Sequence, residues 1–277
     1  MAEAEMTQDL AHEYTRQALL SRAESAAALL IFLDYDGTLV ALERTPELAG
    51  LSANDRSALL RIATLPGTTL VLVSGRTRAF LQEQLDGLGI DFAAEHGALF
   101  YDSRRGETLP LLQDSPPRWL DSARAQMRAW AAEVPGSFVE EKELSVAWHY
   151  RNAGTAPAAE TLSVFAARLK EAAGAPDMDI LFGKKVIEAR SMYAGKGAFL
   201  NWYLKSRTGR TGALIICAGD DATDEEMFGA ANGSGGIAVR VGPGATCADY
   251  RISSPELVLP LIEEIALRRA LCGKQLP

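Results

Sequence analysis

The chain has 277 residues, of which 48% are hydrophobic and 23% are charged, and its formal net charge is -8. This composition is typical of globular proteins and excludes collagen-like and intrinsically disordered chains. A chain of this length predicts one large domain or two modest ones. Nucleic acids and anionic membranes attract basic faces, so the acidic balance argues against both as main partners.

The three cysteines, Cys217, Cys247 and Cys272, lie far apart in the sequence. Their odd number and long spacing argue against a disulfide framework and against a zinc site. Residues 1–27 are mixed polar and lack both the basic start and the apolar stretch of a signal peptide. No apolar stretch approaches the ~18 residues of a transmembrane helix. We therefore expect a cytoplasmic protein without a membrane span.

The first part of the chain alternates helical patterns with apolar strands. The segment ALLIFLD at 28–34 is almost wholly apolar, which predicts a strand buried on both faces, as in a parallel sheet. Ser52 precedes a helical pattern, which Pro66 and Gly67 end. The predictions in chain order are a helix over 9–27, a strand over 28–34, a helix from Ser52 to about Thr64, a strand over 69–76, a helix to Leu85, and a strand with a possible hairpin arm within 91–102.

The pattern changes after Pro110. Polarity alternates over 137–151 around a turn, which predicts an antiparallel hairpin. The predictions here are a helix over 119–133, that hairpin, an alanine-rich helix over 157–173, and two strands within 179–190. The order helix, two strands, helix, two strands indicates a small α+β domain with an open sheet.

After Gly195 the first pattern resumes. The predictions are a helix over 196–207, a strand over 213–220, a helix over 223–231, a strand over 236–242 that we interpret as an edge strand, and a final helix over 255–271. We therefore expect an α/β core domain formed by 1–109 and 189–277, interrupted by an α+β domain at 110–188.

Three of the predicted buried strands end in polar residues. Ligands of open parallel sheets bind beyond the carboxyl ends of the strands, so we expect these side chains to meet at one edge. Lys196, at the start of a predicted helix, adds an ammonium group. The strand-end residues are Asp34 and Asp36 on the first strand, Ser74 and Arg76 on the second, and Asp220 and Asp221 on the third, with Asp224 one helical turn later.

This set of residues suits phosphoryl transfer through a covalent intermediate. The carboxylate of Asp34 is a competent nucleophile towards phosphorus. Mg²⁺ prefers oxygen ligands and offsets the charge of both a carboxylate and a phosphate. Ser74 and Lys196 can bind phosphate oxygens, while Asp36 can protonate the departing alkoxide and later activate water.

The same segments resemble the signatures of the haloacid dehalogenase superfamily of phosphatases. Its four signatures are matched by DYDGTL at 34–39, SGR at 74–76, Lys196, and GDDATDEEMF at 219–228. More narrowly, AEHGA at 94–98, SVAWHYR at 145–151 and GKKVIEAR at 183–190 resemble the trehalose-6-phosphate phosphatase family. The resemblance implies a Rossmannoid core with a parallel sheet, an inserted α+β cap domain, and hydrolysis of trehalose 6-phosphate to trehalose and phosphate.

The resemblance also implies a role for each matching position. On the core, it implies a nucleophile and Mg²⁺ ligand at Asp34, a general acid and base with its carbonyl on the metal at Asp36, a further metal ligand at Asp220 supported by Asp221 and Asp224, phosphate contacts from Ser74 and Lys196, and sugar contacts from Arg76 and His96. On the cap, it implies contacts to the disaccharide from Glu140, Lys142, Arg151, Lys184 and Glu188. We interpret His149 as structural, because Arg151 shares its strand face in the predicted hairpin.

Three alternatives remain open at this point. A related sugar-phosphate phosphatase, acting on sucrose phosphate or a glycosyl-glycerate phosphate, would share the core chemistry and differ in the cap. A non-catalytic partner of a trehalose-phosphate synthase would keep the fold without turnover. A phosphomutase would use a similar nucleophile and return the phosphoryl group to a sugar. A functional link to a trehalose-phosphate synthase is expected from the family resemblance.

Overall fold

The computed structural model describes residues 7–42, 48–112, 116–207 and 212–272. The chain forms two compact units, one from Met1–Leu109 with Gly195–Pro277 and one from Pro110–Ala194. The chain therefore returns to the first unit at Gly195 and not at the expected residue 189. The reason is that the strand Val186–Ser191 still belongs to the sheet of the inserted unit.

The elements alternate as the sequence predicts over most of the chain. In order they are β1 (Gln8–Asp9), α1 (Glu13–Glu24), β2 (Ala28–Leu33), α2 (Ala53–Thr64), β3 (Thr68–Val73), α3 (Arg78–Gln84), β4 (Asp91–Ala94), β5 (Leu99–Asp102), β6 (Glu107–Pro110), α4 (Leu120–Glu133), β7 (Phe138–Glu141), β8 (Val146–His149), α5 (Ala159–Ala173), β9 (Met178–Gly183), β10 (Val186–Ser191), α6 (Lys196–Arg207), β11 (Ala213–Gly219), α7 (Ala222–Gly233), β12 (Ile237–Val241), β13 (Tyr250–Ile252) and α8 (Val258–Cys272).

The first unit is built on a nine-stranded sheet in the order β1-β13-β12-β11-β2-β3-β4-β5-β6. In this spatial order, each pair of neighbouring strands from β1 through β11 to β4 is parallel, and β5 runs antiparallel to β4. All six residues of β2 are buried, which confirms the predicted strand with two covered faces. Helix α8 packs against α1 and α2, while α6 packs against α7.

The order of the central strands determines where the strand-end residues lie. β2 is flanked by β11 on one side and β3 on the other, and all three are parallel. Their carboxyl ends therefore share one edge of the sheet, and the segments that begin with Asp34, Ser74 and Asp220 leave the sheet there.

The inserted unit has an antiparallel sheet in the order β7-β8-β10-β9, with α4 and α5 packed on it. Its core centres on Trp130, Trp148 and Phe165. The rings of Trp130 and Phe165 stack with centroids 4.8 Å apart, and Trp148 meets Phe165 edge-on at 5.6 Å. The predicted α+β order and open sheet are confirmed.

Two element predictions are wrong. The helix expected over 9–27 begins only at Glu13, because Gln8 and Asp9 pair with the strand β13. The strand β12 is not an edge strand, since β13 lies beside it. Strands as short as β1, β6 and β13 carry no periodic signal, and the partner strand determines that they form. Among the helices given above, none combines the length and apolar composition that a bilayer-spanning segment requires.

Candidate active site

Asp34 follows directly after β2 and is held by contacts on both carboxylate oxygens. Its backbone N–H donates to the carbonyl of Ala218 at 3.0 Å, which continues the β2–β11 ladder by one residue. Oδ1 accepts from Lys196 Nζ at 2.6 Å, and Oδ2 accepts from Thr38 Oγ1 at 3.3 Å. Burial raises the pKa of Asp34, while the charge of Lys196 opposes that rise.

Lys196 is the first residue of α6 and joins two carboxylates. Besides Asp34, its Nζ donates to Asp224 Oδ1 at 2.8 Å, and all three side chains are buried. Burial by itself lowers the pKa of Lys196, but the carboxylates of Asp224 and Asp34 outweigh it and raise the pKa above its ordinary value. Lys196 is therefore an ammonium ion at neutral pH.

Asp221 and Asp224 form the N-terminal capping box of α7. Asp221 Oδ1 accepts from the backbone N–H and the hydroxyl of Thr223, at 2.8 and 2.7 Å. Asp224 Oδ2 accepts from the backbone N–H groups of Asp220 and Asp221, at 3.0 and 3.1 Å. The segment that carries Asp220 is thus tied to the first turn of the helix.

Three carboxylates form a candidate metal centre. One oxygen from each of Asp34, Asp220 and Asp224 lies within 4.8 Å of the others. Asp221 is not one of these three, and its carboxylate caps α7, so its predicted role in supporting the metal site stays a prediction. Gly37 adopts a φ of +76°, and a Cβ at this position would lie 2.4 Å from the Asp220 carboxylate.

The segment after β3 carries Ser74 and is braced by a left-handed turn. Ser74 Oγ accepts from the backbone N–H of Arg76 at 3.2 Å. The N–H of His96 donates to the Ser74 carbonyl at 2.9 Å, and that of Glu95 to the Arg76 carbonyl at 3.0 Å. Glu95 and His96 both have positive φ, 49° and 58°. The His96 ring packs against Gly75, where a Cβ would come within 2.6 Å of it.

Asp36 is bound through both carboxylate oxygens by Arg76. Nε of Arg76 donates to Oδ2 at 2.7 Å and Nη2 donates to Oδ1 at 2.5 Å. The guanidinium carbon also lies 4.5 Å from the centre of the Phe80 ring, a cation–π contact. The predicted general acid and the predicted sugar contact are therefore each other's partners in this structure.

In the inserted unit the predicted sugar contacts fall into two groups. Lys142 Nζ pairs with Glu188 Oε1 at 2.9 Å, and Ser145 Oγ donates to the same oxygen at 3.0 Å. Glu140 and Glu188 both lie opposite Ala147 on β8, so they occupy one row of the sheet. The second group, at a hairpin end, is exposed and has Arg151 Nη2 donating to the Lys184 carbonyl at 3.1 Å.

Sequence reasoning missed contacts made by Thr38, Ser145 and His149. Thr38 lies inside DYDGTL and Ser145 inside SVAWHYR, so their place in these quoted segments was the available signal. His149 Nε2 is hydrogen-bonded to Glu140 Oε2 at 2.9 Å. Burial by itself raises the pKa of Glu140. The hydrogen bond to His149 and the charge of Lys142 outweigh this effect and hold the pKa below its ordinary value. The interpretation of His149 as structural rested on a strand face shared with Arg151. Since β8 ends at His149, Arg151 lies outside that strand.

Comparison with known proteins decides the family. Residues 32–253 match the family model described as trehalose-phosphatase. The chain belongs to the trehalose-phosphatase family. The family prediction is thereby confirmed, and the match includes both segments of the first unit that carry the acidic cluster.

Curated relatives differ in length from this chain. It is 37% identical over 253 residues to a bifunctional trehalose-6-phosphate synthase/phosphatase from Thermoproteus tenax, an alignment that covers 91% of this chain and 34% of the relative. It is 29% identical over 251 residues to a trehalose-6-phosphate phosphatase from Escherichia coli, with 90% and 91% covered. The chain thus spans about a third of the length of the Thermoproteus relative and most of the length of the E. coli relative.

Solved structures agree with the fold. The C-terminal domain of a trehalose-6-phosphate phosphatase from C. albicans is 25% identical, with a TM-score of 0.81 and coverage of 95% of this chain and 98% of that one. A haloacid dehalogenase-like hydrolase from Bacteroides thetaiotaomicron, 17% identical with a TM-score of 0.62 and coverage of 86% and 99%, shares the fold. The predicted haloacid dehalogenase-like α/β fold with an inserted α+β unit is confirmed.

Proposed function

We propose that the chain hydrolyses trehalose 6-phosphate to trehalose and phosphate through an aspartyl-phosphate at Asp34. The proposal depends on the groups around Asp34. The ammonium group of Lys196 lies 2.6 Å from its carboxylate, and carboxylate oxygens of Asp220 and Asp224 lie within 4.8 Å. Membership in the trehalose-phosphatase family supports the substrate.

The acidic cluster fits Mg²⁺. Its donors are carboxylate oxygens from Asp34, Asp220 and Asp224, which a hard divalent cation prefers. When bound, Mg²⁺ offsets the repulsion between the Asp34 carboxylate and a phosphate dianion. The three side chains are mostly shielded from water, which strengthens their attraction for a cation.

The first half of the reaction forms the aspartyl-phosphate. An oxygen of Asp34 attacks phosphorus, the bond between phosphorus and the sugar oxygen breaks, and Asp36 gives that oxygen a proton. An ammonium group has three N–H bonds. Lys196 directs two at Asp34 and Asp224, and the third can bind a phosphate oxygen, as can the Ser74 hydroxyl. Each oxygen of Asp36 accepts one hydrogen bond from Arg76 and keeps a second lone-pair site for the proton.

The second half returns the enzyme to its starting state. Water attacks the phosphorus of the aspartyl-phosphate while Asp36 removes a proton from it, and the bond to Asp34 breaks to release phosphate. Asp34 regains its carboxylate, and Asp36 regains the proton that it gave to trehalose.

The inserted unit is proposed to act as the specificity cap. Its row of Glu140 and Glu188, with the ammonium of Lys142, offers acceptors and a donor of the kind that sugar hydroxyls need. The Thermoproteus relative combines synthase and phosphatase in its name. We infer that this chain acts on the product of a trehalose-phosphate synthase, in the cytoplasm.

The decisive experiment measures phosphate release from trehalose 6-phosphate with Mg²⁺ and with EDTA. Asp34→Asn removes the nucleophile and keeps the size of the side chain. We expect it to lower kcat by at least ~10³-fold, as for other nucleophile deletions, with an unchanged circular dichroism spectrum. Retained turnover in this variant would sink the covalent mechanism, and wild-type turnover in EDTA would sink the metal assignment.

A substrate panel separates the alternatives. We expect kcat/KM for trehalose 6-phosphate to exceed the values for sucrose 6-phosphate, a glycosyl-glycerate phosphate and glucose 6-phosphate. A higher value for another sugar phosphate would identify the related phosphatase instead. Absence of phosphate release from every substrate would favour the non-catalytic partner, and transfer of the phosphoryl group to added sugar would favour a mutase.

A further inference from the structure

The segment that carries Asp220 is held on a second side by Arg240. Arg240 lies on β12, opposite Gly219, the last residue of β11. Its Nη1 donates to the carbonyl of Asp221 at 3.0 Å and to Glu225 Oε1 at 3.2 Å. Its Nη2 donates to the Pro243 carbonyl at 3.4 Å, and 11% of the side chain is exposed.

Glu225 extends this contact to the chain after β12. It lies in the first turn of α7, one residue after Asp224. While Oε1 receives Arg240, Oε2 accepts from the backbone N–H of Cys247 at 2.8 Å. The arginine and the glutamate together tie the first turn of α7 to the connection between β12 and β13.

We infer that Arg240 is a positioning residue for the acidic cluster. Asp220 stands between Gly219, fixed by the sheet, and Asp221, whose carbonyl Arg240 holds. A hydrogen bond from a charged donor is about twice as strong as one between neutral groups. The arginine thereby determines where the Asp220 carboxylate lies relative to Asp34 and Asp224, and so the affinity for the divalent cation. The inference rests on the proposed Mg²⁺ site.

The sign of the effect separates positioning from simple electrostatics. A guanidinium near a cation site repels the cation, so loss of this charge alone would tighten metal binding. Loss of a positioning contact displaces a ligand and weakens metal binding. Arg240→Gln removes the charge and the three hydrogen bonds, whereas Arg240→Lys keeps the charge and loses the forked geometry.

The test titrates Mg²⁺ into the whole chain by calorimetry. Partners outside the ligand set typically contribute 10–100-fold in metal affinity, so we expect both variants to bind Mg²⁺ about tenfold more weakly than wild type. Unchanged or tighter binding in Arg240→Gln would overturn the inference. Normal Mg²⁺ binding in Arg240→Lys would also overturn the inference, because the charge without the forked geometry would then be sufficient. The lysine variant also covers the case in which the glutamine variant fails to fold.

Arg251 offers a matched control. It pairs with Arg240 across β12 and β13, and its guanidinium donates to the carbonyls of Gly242 and Gly244. Arg251→Gln therefore loosens the same connection without removing a contact to α7. We expect the Mg²⁺ affinity of Arg251→Gln to stay within about twofold of wild type, a smaller change than the loss expected of a contact outside the ligand set. Urea unfolding in EDTA measures the stability of each variant.

The outcomes distinguish this inference from the proposed function. Equal weakening in Arg251→Gln would show general loosening and overturn the role of Arg240. Absence of Mg²⁺ binding to wild type would overturn the metal assignment and this inference with it. Normal Mg²⁺ binding with no turnover of trehalose 6-phosphate would overturn the substrate and leave the role of Arg240 standing.

Discussion

At the scale of single residues, the acidic cluster depends on a glycine as well as on carboxylates. Gly37 follows Asp36 in a left-handed conformation, and the Asp220 carboxylate occupies the space where its Cβ would be. A side chain here would meet both a backbone penalty and a steric clash. The chain can bring Asp34 and Asp220 together because this position carries no side chain.

Gly37→Ala tests that close approach. The left-handed backbone costs roughly 1–2 kcal/mol for a residue with a Cβ, and the clash with Asp220 adds to it. Gly87→Ala is the control, because Gly87 has a similar φ of +73° and nothing within 4 Å of its Cβ position. Urea unfolding should show the larger loss of stability for Gly37→Ala, together with weaker Mg²⁺ binding. Equal losses in the two variants, with unchanged Mg²⁺ binding, would contradict the close approach.

Lys142 is expected to act on substrate preference and not on phosphoryl chemistry. Lys142→Ala removes one member of the ion pair with Glu188. We expect kcat/KM for trehalose 6-phosphate to fall at least tenfold, the loss of a charged hydrogen bond. The rate with p-nitrophenyl phosphate, which has no sugar, should change little.

Arg128→Ala is the control for Lys142→Ala. It also breaks an ion pair with a glutamate of the inserted unit, Glu141, but Arg128 is 61% exposed and a surface pair contributes little. Both rates should stay near wild type in this variant. A parallel loss of both activities in Lys142→Ala would point to misfolding and against a role in specificity.

At the scale of elements, α6 connects the acidic cluster to the far part of the sheet. Lys196 begins this helix, and Arg207 ends it with a 2.7 Å ion pair to Asp102 at the end of β5. Asp102 also accepts from the backbone N–H groups of the following turn, Arg104 and Arg105. The helix is thereby anchored at both ends by buried carboxylates.

This anchor predicts a pH dependence of stability. Burial by itself raises the pKa of Asp102. The hydrogen bond and the charge of Arg207 outweigh this effect and hold the pKa below its ordinary value. A lowered pKa in the folded state contributes stability above the unfolded pKa, and the contribution is lost as the pH falls through the folded pKa. Asp102→Asn should therefore cost about 2 kcal/mol at pH 7, the value of a hydrogen bond to a charged group. The difference from wild type should shrink below about pH 4. Urea unfolding across this range checks it, and a difference that does not depend on pH would contradict it.

Local signals explain which elements the sequence predicts. Ser52 caps α2 as expected, because its hydroxyl accepts from the backbone N–H of Asp55 at 3.1 Å within a capping box. The start of α6 at Lys196 is also as predicted. The short strand β13 was missed, since its three residues form a strand only by pairing with β12.

At the scale of the whole molecule, the inserted unit has a hydrophobic core of its own. Trp130, Trp148 and Phe165 belong to one cluster that draws only on residues of that unit. A domain with its own core can in principle fold alone. The insertion is therefore a candidate for independent expression.

We predict that residues 110–194 fold in isolation. The fragment should show a near-ultraviolet circular dichroism signal from its packed tryptophans and a cooperative urea transition. Trp148→Ala, which removes a fully buried ring, should cost about 3–5 kcal/mol and abolish the transition. A fragment with helical signal but no cooperative transition would show that the core is insufficient by itself.

The family resemblance, the alternation of elements and most of the candidate residues can be read from the sequence alone. These follow from local patterns, because an apolar strand and the polar residue that ends it are neighbours in the chain. The pairing of Asp36 with Arg76 and the contact from Arg240 to the Asp221 carbonyl are seen only in the folded structure. These contacts depend on the register of strands far apart in sequence, which no local pattern encodes.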